Sequence, residues 1–213
     1  NGADFQYVMT YAIDNMTDNM EPGITAWSRD IYEKQLCEQM EKVGFPIFLY
    51  GSFKKYNAPE SGFVADTFDP RYSQGYAAAH NRLGLLIENH IYKPYKQRVE
   101  ATVEAFIATA RILSENKESL VSTLAAADAY TSSAASRVEP FGFQYKATED
   151  ESFMTNYLSW GRDTLLSDLS GGEWVIHDYN DPITLPIPVY TSYKPSFSVK
   201  LPEAYILMPQ WKN

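Results

Sequence analysis

Cysteine is nearly absent: Cys37 is the one thiol in 213 residues. No intrachain disulfide can form, so the thiol count argues neither for nor against an oxidising compartment. Cys37 falls within a helical pattern and reads as a small apolar core residue rather than a nucleophile. Histidine is scarce as well, with His80, His90 and His177. A self-contained metal site needs several His, Cys or carboxylate ligands at short spacing. None of the three histidines has a Glu three residues later. His80 and His90 flank an expected strand that would hold them roughly 30 Å apart. No metal centre is expected from these residues.

Basic residues are few, 18 Lys and Arg against 27 Asp and Glu, for a net charge of -9. Phosphate binding needs clustered cations, so nucleic acid is not an expected partner. No apolar run reaches the length of a membrane span. There is no G-x-S-x-G elbow of the serine hydrolases. "LSGGEW" (169–174) is glycine-rich but lacks the Lys and Ser/Thr of a phosphate loop, and reads as a hairpin turn. No charged start followed by an apolar run is visible at Asn1, which reads as a processing boundary.

What is present is an ordinary globular balance, 45% hydrophobic and 21% charged, long enough to bury a real core. Aromatic residues stand at 15%, which suits strands and sugar- or peptide-binding surfaces. Residues 1–24 are turn-rich, from Asn1-Gly2 to Pro22-Gly23. A helix is expected over 26–43, with Thr25 as N-cap and Gly44 as stop. "FPIFLYG" (45–51) reads as a buried strand, 52–70 as a long loop, and 69–82 as partly helical. "LGLLIENH" (83–90) reads as a buried strand ending near Glu88, covered on both faces. The clearest helix runs over 94–114, with Pro94 in its first turn. Its expected core face is Val99, Val103, Phe106, Ile107, Ala110 and Leu113. A further helix is expected over 117–135.

After Ser136 the composition turns aromatic, with Thr, Ser and Pro, and "FGFQYKA", "EWVIHDY", "IPVYTSY" and "FSVKL" alternate like strands. The prolines restrict these to edges and strand ends. The expected fold class is α/β: residues 1–136 place helices on a mixed, mostly parallel sheet, and residues 137–213 form a β-rich region.

Glu88 is the residue with most chemical potential. A carboxylate ending an apolar strand is partly desolvated, and strand ends line ligand crevices in open α/β sheets. On position alone, the plainer reading is favoured: a carboxylate paired with an Arg or capping the next helix.

The block "DPRYSQGYAAAHNRLGLLIENHIYKPYKQRVEATVEAFI" (69–107) resembles one in bacterial zinc carboxypeptidase-like proteins of the carboxypeptidase A clan. The matching positions are Arg71-Tyr72, Tyr76, Asn81-Arg82, Glu88, Arg98-Val99 and Ala101-Thr102. "NGADFQYVMTY" at the start resembles the segment after that family's third zinc ligand, and "PEAYILMPQW" (202–211) resembles its final stretch. The resemblance implies part of an α/β/α peptidase domain, with Glu88 as catalytic carboxylate and Arg71 and Tyr72 on the substrate side. It implies zinc in a longer parent, held by residues upstream of Asn1, and none in this chain. It also implies a peptide or cell-wall peptide substrate and a secreted or periplasmic parent. The alternative is a non-catalytic peptide- or glycan-binding module on a degenerate peptidase fold.

Overall fold

The computed structural model describes residues 5–17 and 19–211. The Asn1-Gly2 turn lies outside them. Strand β1 (Met9–Ala12) is buried along its length. Helix α1 (Pro22–Trp27) then begins earlier than Thr25. Proline's fixed φ suits the first helical position. The Glu21 carboxylate accepts hydrogen bonds from the N–H groups of Gly23 and Ile24, at 2.7 and 3.2 Å. Thr25 is therefore not the cap, and its hydroxyl donates to the Met20 carbonyl instead. The helix continues through a π-helical turn (Ser28–Glu33) into α2 (Lys34–Lys42). Gly44, at φ 83, ends it, and the Phe45 N–H closes back on the Met40 carbonyl.

Strand β2 (Ile47–Leu49) is shorter than the expected 45–51, because the chain changes sheets at Tyr50. It resumes as β3 (Gly51–Phe53) and returns as β4 (Phe63–Ala65), inside the stretch expected to be loop. Gly51 permits the crossing: a Cβ there would stand 2.2 Å from the Val64 carbonyl oxygen. Helix α3 (Ser73–Ala79) and strand β5 (Leu86–Asn89) follow, then α4 (Tyr95–Glu115) and α5 (Lys117–Thr131).

The first sheet has the order β2-β1-β5. β1 and β2 are parallel, joined by the α1–α2 crossover, whereas β5 runs antiparallel to β1. The expectation of a mostly parallel sheet is thus corrected. The chain makes the β3–β4 hairpin and α3 before β5, and so re-enters the sheet from the opposite end. β5 is half-buried rather than covered on both faces.

Helix α4 has the expected span but turns a different face inward. Ala101, Ala105, Ala108 and Ile112 are buried, while Val99, Val103, Phe106 and Ile107 are exposed, as is Ala110. Of the expected face, Leu113 packs against the core. A stripe of small residues lets the α4 backbone come close to α2 and the sheet, and that close approach outweighs side-chain size.

The C-terminal region is strand and loop. It comprises β6 (Phe141–Ala147), β7 (Ser152–Leu166), β8 (Glu173–Tyr190) and β9 (Tyr193–Val199). β6 pairs with β9, and β7 with β8 forms a long hairpin. β8 also joins β4 in parallel at Val189 and Tyr190, extending the order to β3-β4-β8-β7. Pro182, Pro186 and Pro188 lie inside β8 rather than at its ends, and all share one parity. Prolines lack the N–H a ladder needs, so these must be the positions turned away from β7, where β8 is an open edge over most of its length.

The helices and one face of the first sheet enclose a core that includes Met9, Tyr11, Trp27, Tyr32, Leu36, Met40 and Ile112. A second core joins the two regions: Phe5, Tyr7, Phe63, Tyr157, Ile187 and Val189, with Phe48 packed against it.

Candidate active site

Strand register fixes where Glu88 points. On β5, Ile87 packs into the helix-covered core. Asn89 donates to the Thr102 hydroxyl of α4 at 3.0 Å, and that hydroxyl donates to the Arg98 carbonyl. Alternation along a strand then sends Leu86 and Glu88 to the opposite face. Glu88 stands in one row with Thr10 and Phe48, since Thr10 pairs with both. The Arg98 and Thr102 positions of the block therefore anchor the neighbour of Glu88, and so orient Glu88 itself.

Glu88 is half-buried at the last position but one of its strand. Because β5 is antiparallel to β1, this is the end at which β1 begins, not the carboxyl ends of β1 and β2. Beyond Phe48 lies Tyr50, whose phenol is pushed up by burial first and then by the negative charges of Glu88 and Asp66. The Thr10 hydroxyl, on the same row as Glu88, is buried with no hydrogen-bond partner among the described residues.

An aromatic series leads outward from Tyr50. Its ring lies 5.8 Å from Phe68, and Phe68 lies 5.6 Å from Tyr72. Arg71 donates to the Tyr72 hydroxyl at 2.7 Å and sits 4.8 Å from the centre of its ring. Arg71 and Tyr72 are both exposed. Their loop is held from behind by α3, where Gly75 meets the backbone of Phe68 and Asp69 so closely that a Cβ would stand 2.4 Å from the Phe68 oxygen.

Asn81 and Arg82 serve the frame. Asn81, at φ 53, donates to Thr131 and Asp128, and Arg82 forms a two-pronged pair with Asp128, both bonds at 2.9 Å. Together they tie the end of α3 to the end of α5. Cys37 is half-buried, and desolvation pushes its thiol up to about 11, which suits a packing residue and not a nucleophile. His80 lies against Tyr76, and His177 lies edge-on to Phe5. "LSGGEW" spans the β7–β8 turn, with Gly171 at φ 68.

Sequence reasoning passed over Asp14, Asp66 and Tyr193. Asp14 follows the apolar run of β1 and is buried. Burial pushes its carboxyl up to about 6. Asp66 follows β4 and is raised by burial. Tyr193 donates to the Ala65 carbonyl at 2.6 Å, and its phenol is raised by burial and by the charges of Asp66 and Asp14. The signal used for Glu88, an acid ending an apolar run, is also present at Asp14.

No group of three or more His, Cys, Asp or Glu among the described residues is arranged to hold a metal ion. A cleft of about 590 Å³ lies elsewhere, between the two regions, lined by Phe45, Tyr92, Trp160 and Tyr179 with Gln6 and Gln97. Glu88, Arg71 and Tyr72 do not line it. No helix among the described residues is long and apolar enough to cross a membrane. Compared with known proteins, the chain matches no family model, no curated protein and no solved structure.

Proposed function

We propose that this chain is the proton-accepting portion of a carboxypeptidase-like hydrolase of peptide bonds. In this reading Glu88 takes a proton from the attacking water as its oxygen bonds to the scissile carbonyl carbon. Glu88 then gives that proton to the amine nitrogen as the C–N bond breaks. Arg71 meets the substrate carboxylate through both arms of its guanidinium, and Tyr72 packs beside it. The observation that supports this best is the fixing of Glu88. Asn89 is tied to α4 and Ile87 to the core, so the carboxylate is committed to the face that carries Tyr50. Zinc would be held by residues outside this chain.

The test uses a longer protein that carries this chain together with a metal-binding segment, assayed on short peptides with a free C-terminal carboxylate. Glu88→Gln should lower turnover on the order of 100-fold or more, with KM little changed. Turnover near that of the unsubstituted protein removes Glu88 as the base. The alternative, a non-catalytic peptide- or glycan-binding module, is favoured by the aromatic cleft at Trp160 and Tyr179. It predicts ligand binding that Trp160→Ala abolishes and Glu88→Gln leaves unchanged.

A further inference from the structure

The β7–β8 ladder breaks beside the aromatic cleft. Trp160 pairs with Pro182 and Gly161 pairs with Asp178, so Tyr179, Asn180 and Asp181 have no partner on β7. Gly161 leaves room for this bulge: a Cβ there would stand 2.0 Å from an Asp181 carboxylate oxygen. The Asp178 carboxylate closes the bulge by accepting from the Asn180 N–H at 2.9 Å. Bulges re-aim side chains and recur beside binding sites. Here the re-aimed residue is Tyr179, whose ring lies 5.7 Å from that of Trp160, edge to face. Both rings line the cleft of about 590 Å³ between the two regions.

The facing wall supplies two more rings, Phe45 and Tyr92, and two amides, Gln6 and Gln97. The Gln6 amide N–H groups are spent on the carbonyls of Ser159 and Ile183, which leaves its carbonyl oxygen as an acceptor. Gln97 is half-buried in the first turn of α4, and its side chain makes no hydrogen bond among the described residues. Full charge is sparse. Among the described residues no Asp or Glu lines the cleft, in a chain of net charge -9. Lys93 lines it, but its ammonium donates to the Phe5 carbonyl and stands 5.9 Å from the centre of the Trp160 ring.

A charged ligand therefore finds little to pair with. A ligand with flat apolar faces and a rim of groups that both donate and accept gains from the rings and from the amides. A sugar ring has that character, with C–H faces to stack and hydroxyls to meet Gln6 and Gln97. A peptide strand docks by adding to an open sheet edge. The open edge of β8 beside Trp160 carries Pro182, Pro186 and Pro188 at alternate positions, and these offer no N–H.

We propose that this cleft binds an uncharged saccharide, with one sugar ring stacked against Trp160 and Tyr179 and its hydroxyls held by Gln6 and Gln97. The proposal rests on the binding-module reading and narrows its ligand from peptide or glycan to glycan. Glu88, Arg71 and Tyr72 take no part in it.

The test is an NMR titration of the full chain with cellotetraose, maltotetraose, N-acetylchitotetraose, tetragalacturonate and tetra-alanine blocked at both ends. At least one of the three uncharged saccharides should bind saturably, with shifts concentrated at 92–97, 158–162 and 178–182. Tyr179 is 57% exposed, so its replacement leaves the fold intact. Tyr179→Ala should weaken binding about tenfold or more, whereas Tyr179→Phe keeps the ring and should retain most of it. Gln97→Ala should weaken binding several-fold, and Glu88→Gln should change nothing. If the blocked peptide binds at these residues and no uncharged saccharide does, the glycan assignment falls and the binding-module reading stands. If none of the five binds, both fall. The proposal is also overturned if tetragalacturonate binds more tightly than all three uncharged saccharides, or if Tyr179→Ala binds them unchanged.

Discussion

The two regions of the molecule bury different things. In the α/β region Thr10, Asp14, Asn15, Thr17, Ser28, Gln74 and Asn81 are buried polar groups, whereas the β-rich region contributes Ser159. Several of the former are satisfied by specific partners. Asn15 donates to Ser28 at 3.0 Å and to Glu33 at 3.1 Å, and Glu33 also accepts from the Tyr11 hydroxyl at 2.8 Å. Such pairings select one arrangement, because a misplaced buried donor or acceptor is costly. The β-rich region instead attaches through apolar and aromatic surface and leaves much of its hairpin in solvent. The α/β region is therefore the part built for placed chemistry, and the β-rich region supplies a wall and an aromatic contact.

The sharpest way to break this contrast is at the joint. The Tyr157 ring lies 5.1 Å from Phe5, 5.1 Å from Tyr7, 4.9 Å from Phe48 and 5.4 Å from Phe53. It comes from β7, and its partners come from the α/β region. Tyr157→Ala should cost about 3–5 kcal/mol, the usual loss for a large buried aromatic. Urea unfolding followed by both far-UV and near-UV circular dichroism checks it. If the two signals then separate, with the helical signal keeping its midpoint, the regions are independent and not joined by this core.

A smaller effect is expected at Asp14. Its carboxyl is pushed up to about 6 from 3.8 by burial, which outweighs the hydrogen bonds from the Phe68 amide and the Asn19 side chain that hold it down, and the Asp69 charge adds a little to the rise. A raised folded-state value means the folded protein holds this proton where the unfolded chain has lost it. The resulting stability is fully present below pH 4 and is lost as pH rises through about 6. Two pH units correspond to roughly 3 kcal/mol. Asp14→Asn should be more stable than the original protein at pH 7, and should flatten the fall in stability between pH 4 and 7. A thermal-melting series in that range measures it. An unchanged slope would mean that Asp14 is compensated in the folded state.

Much of the architecture was legible because the signals were local. Gly44 ends a helix, Pro94 precedes one, and alternation marks the strands after Ser136. The failures came where packing overrode pattern. The large side chains of α4 point outward because Ala101, Ala105 and Ala108 allow the closer approach. The direction of β5 depends on how the chain travels between strands, which no local residue encodes. The π-helical turn at Ser28–Glu33 brings two residues five apart onto the same partner, Asn15, and hydrophobic spacing carries no trace of that. At the candidate site, Glu88 could be singled out from its block, but its orientation rests on Asn89 and Thr102. Asp14 was missed although the same reasoning applies to it, because its burial depends on the 67–70 loop, far away in sequence.

The smallest effect is expected at the far end of the β7–β8 hairpin. The register breaks between Trp160 and Gly161, where the pairing passes from Pro182 to Asp178. On the near side Tyr157, Ser159, Ile187 and Val189 are buried. On the far side Leu165, Leu166, Leu169 and Trp174 are exposed, with Leu169 at 98%. Beside its ladder hydrogen bonds, the far half is anchored next to the break, where Arg162 pairs with Glu60 and donates to the Asn57 carbonyl, both at 2.6 Å, and His177 lies edge-on to Phe5; the partly exposed ion pair is of modest worth. Two strands alone are marginal in water. Leu169→Ser should therefore change global stability by no more than about 0.5 kcal/mol. Amide hydrogen exchange should show the far half, from Asp163 to Leu166 and from Glu173 to Ile176, opening much more readily than the half that contains Tyr157. Equal protection along the whole hairpin would show that the register break does not divide it, and that the β-rich region is as firmly specified as the α/β region.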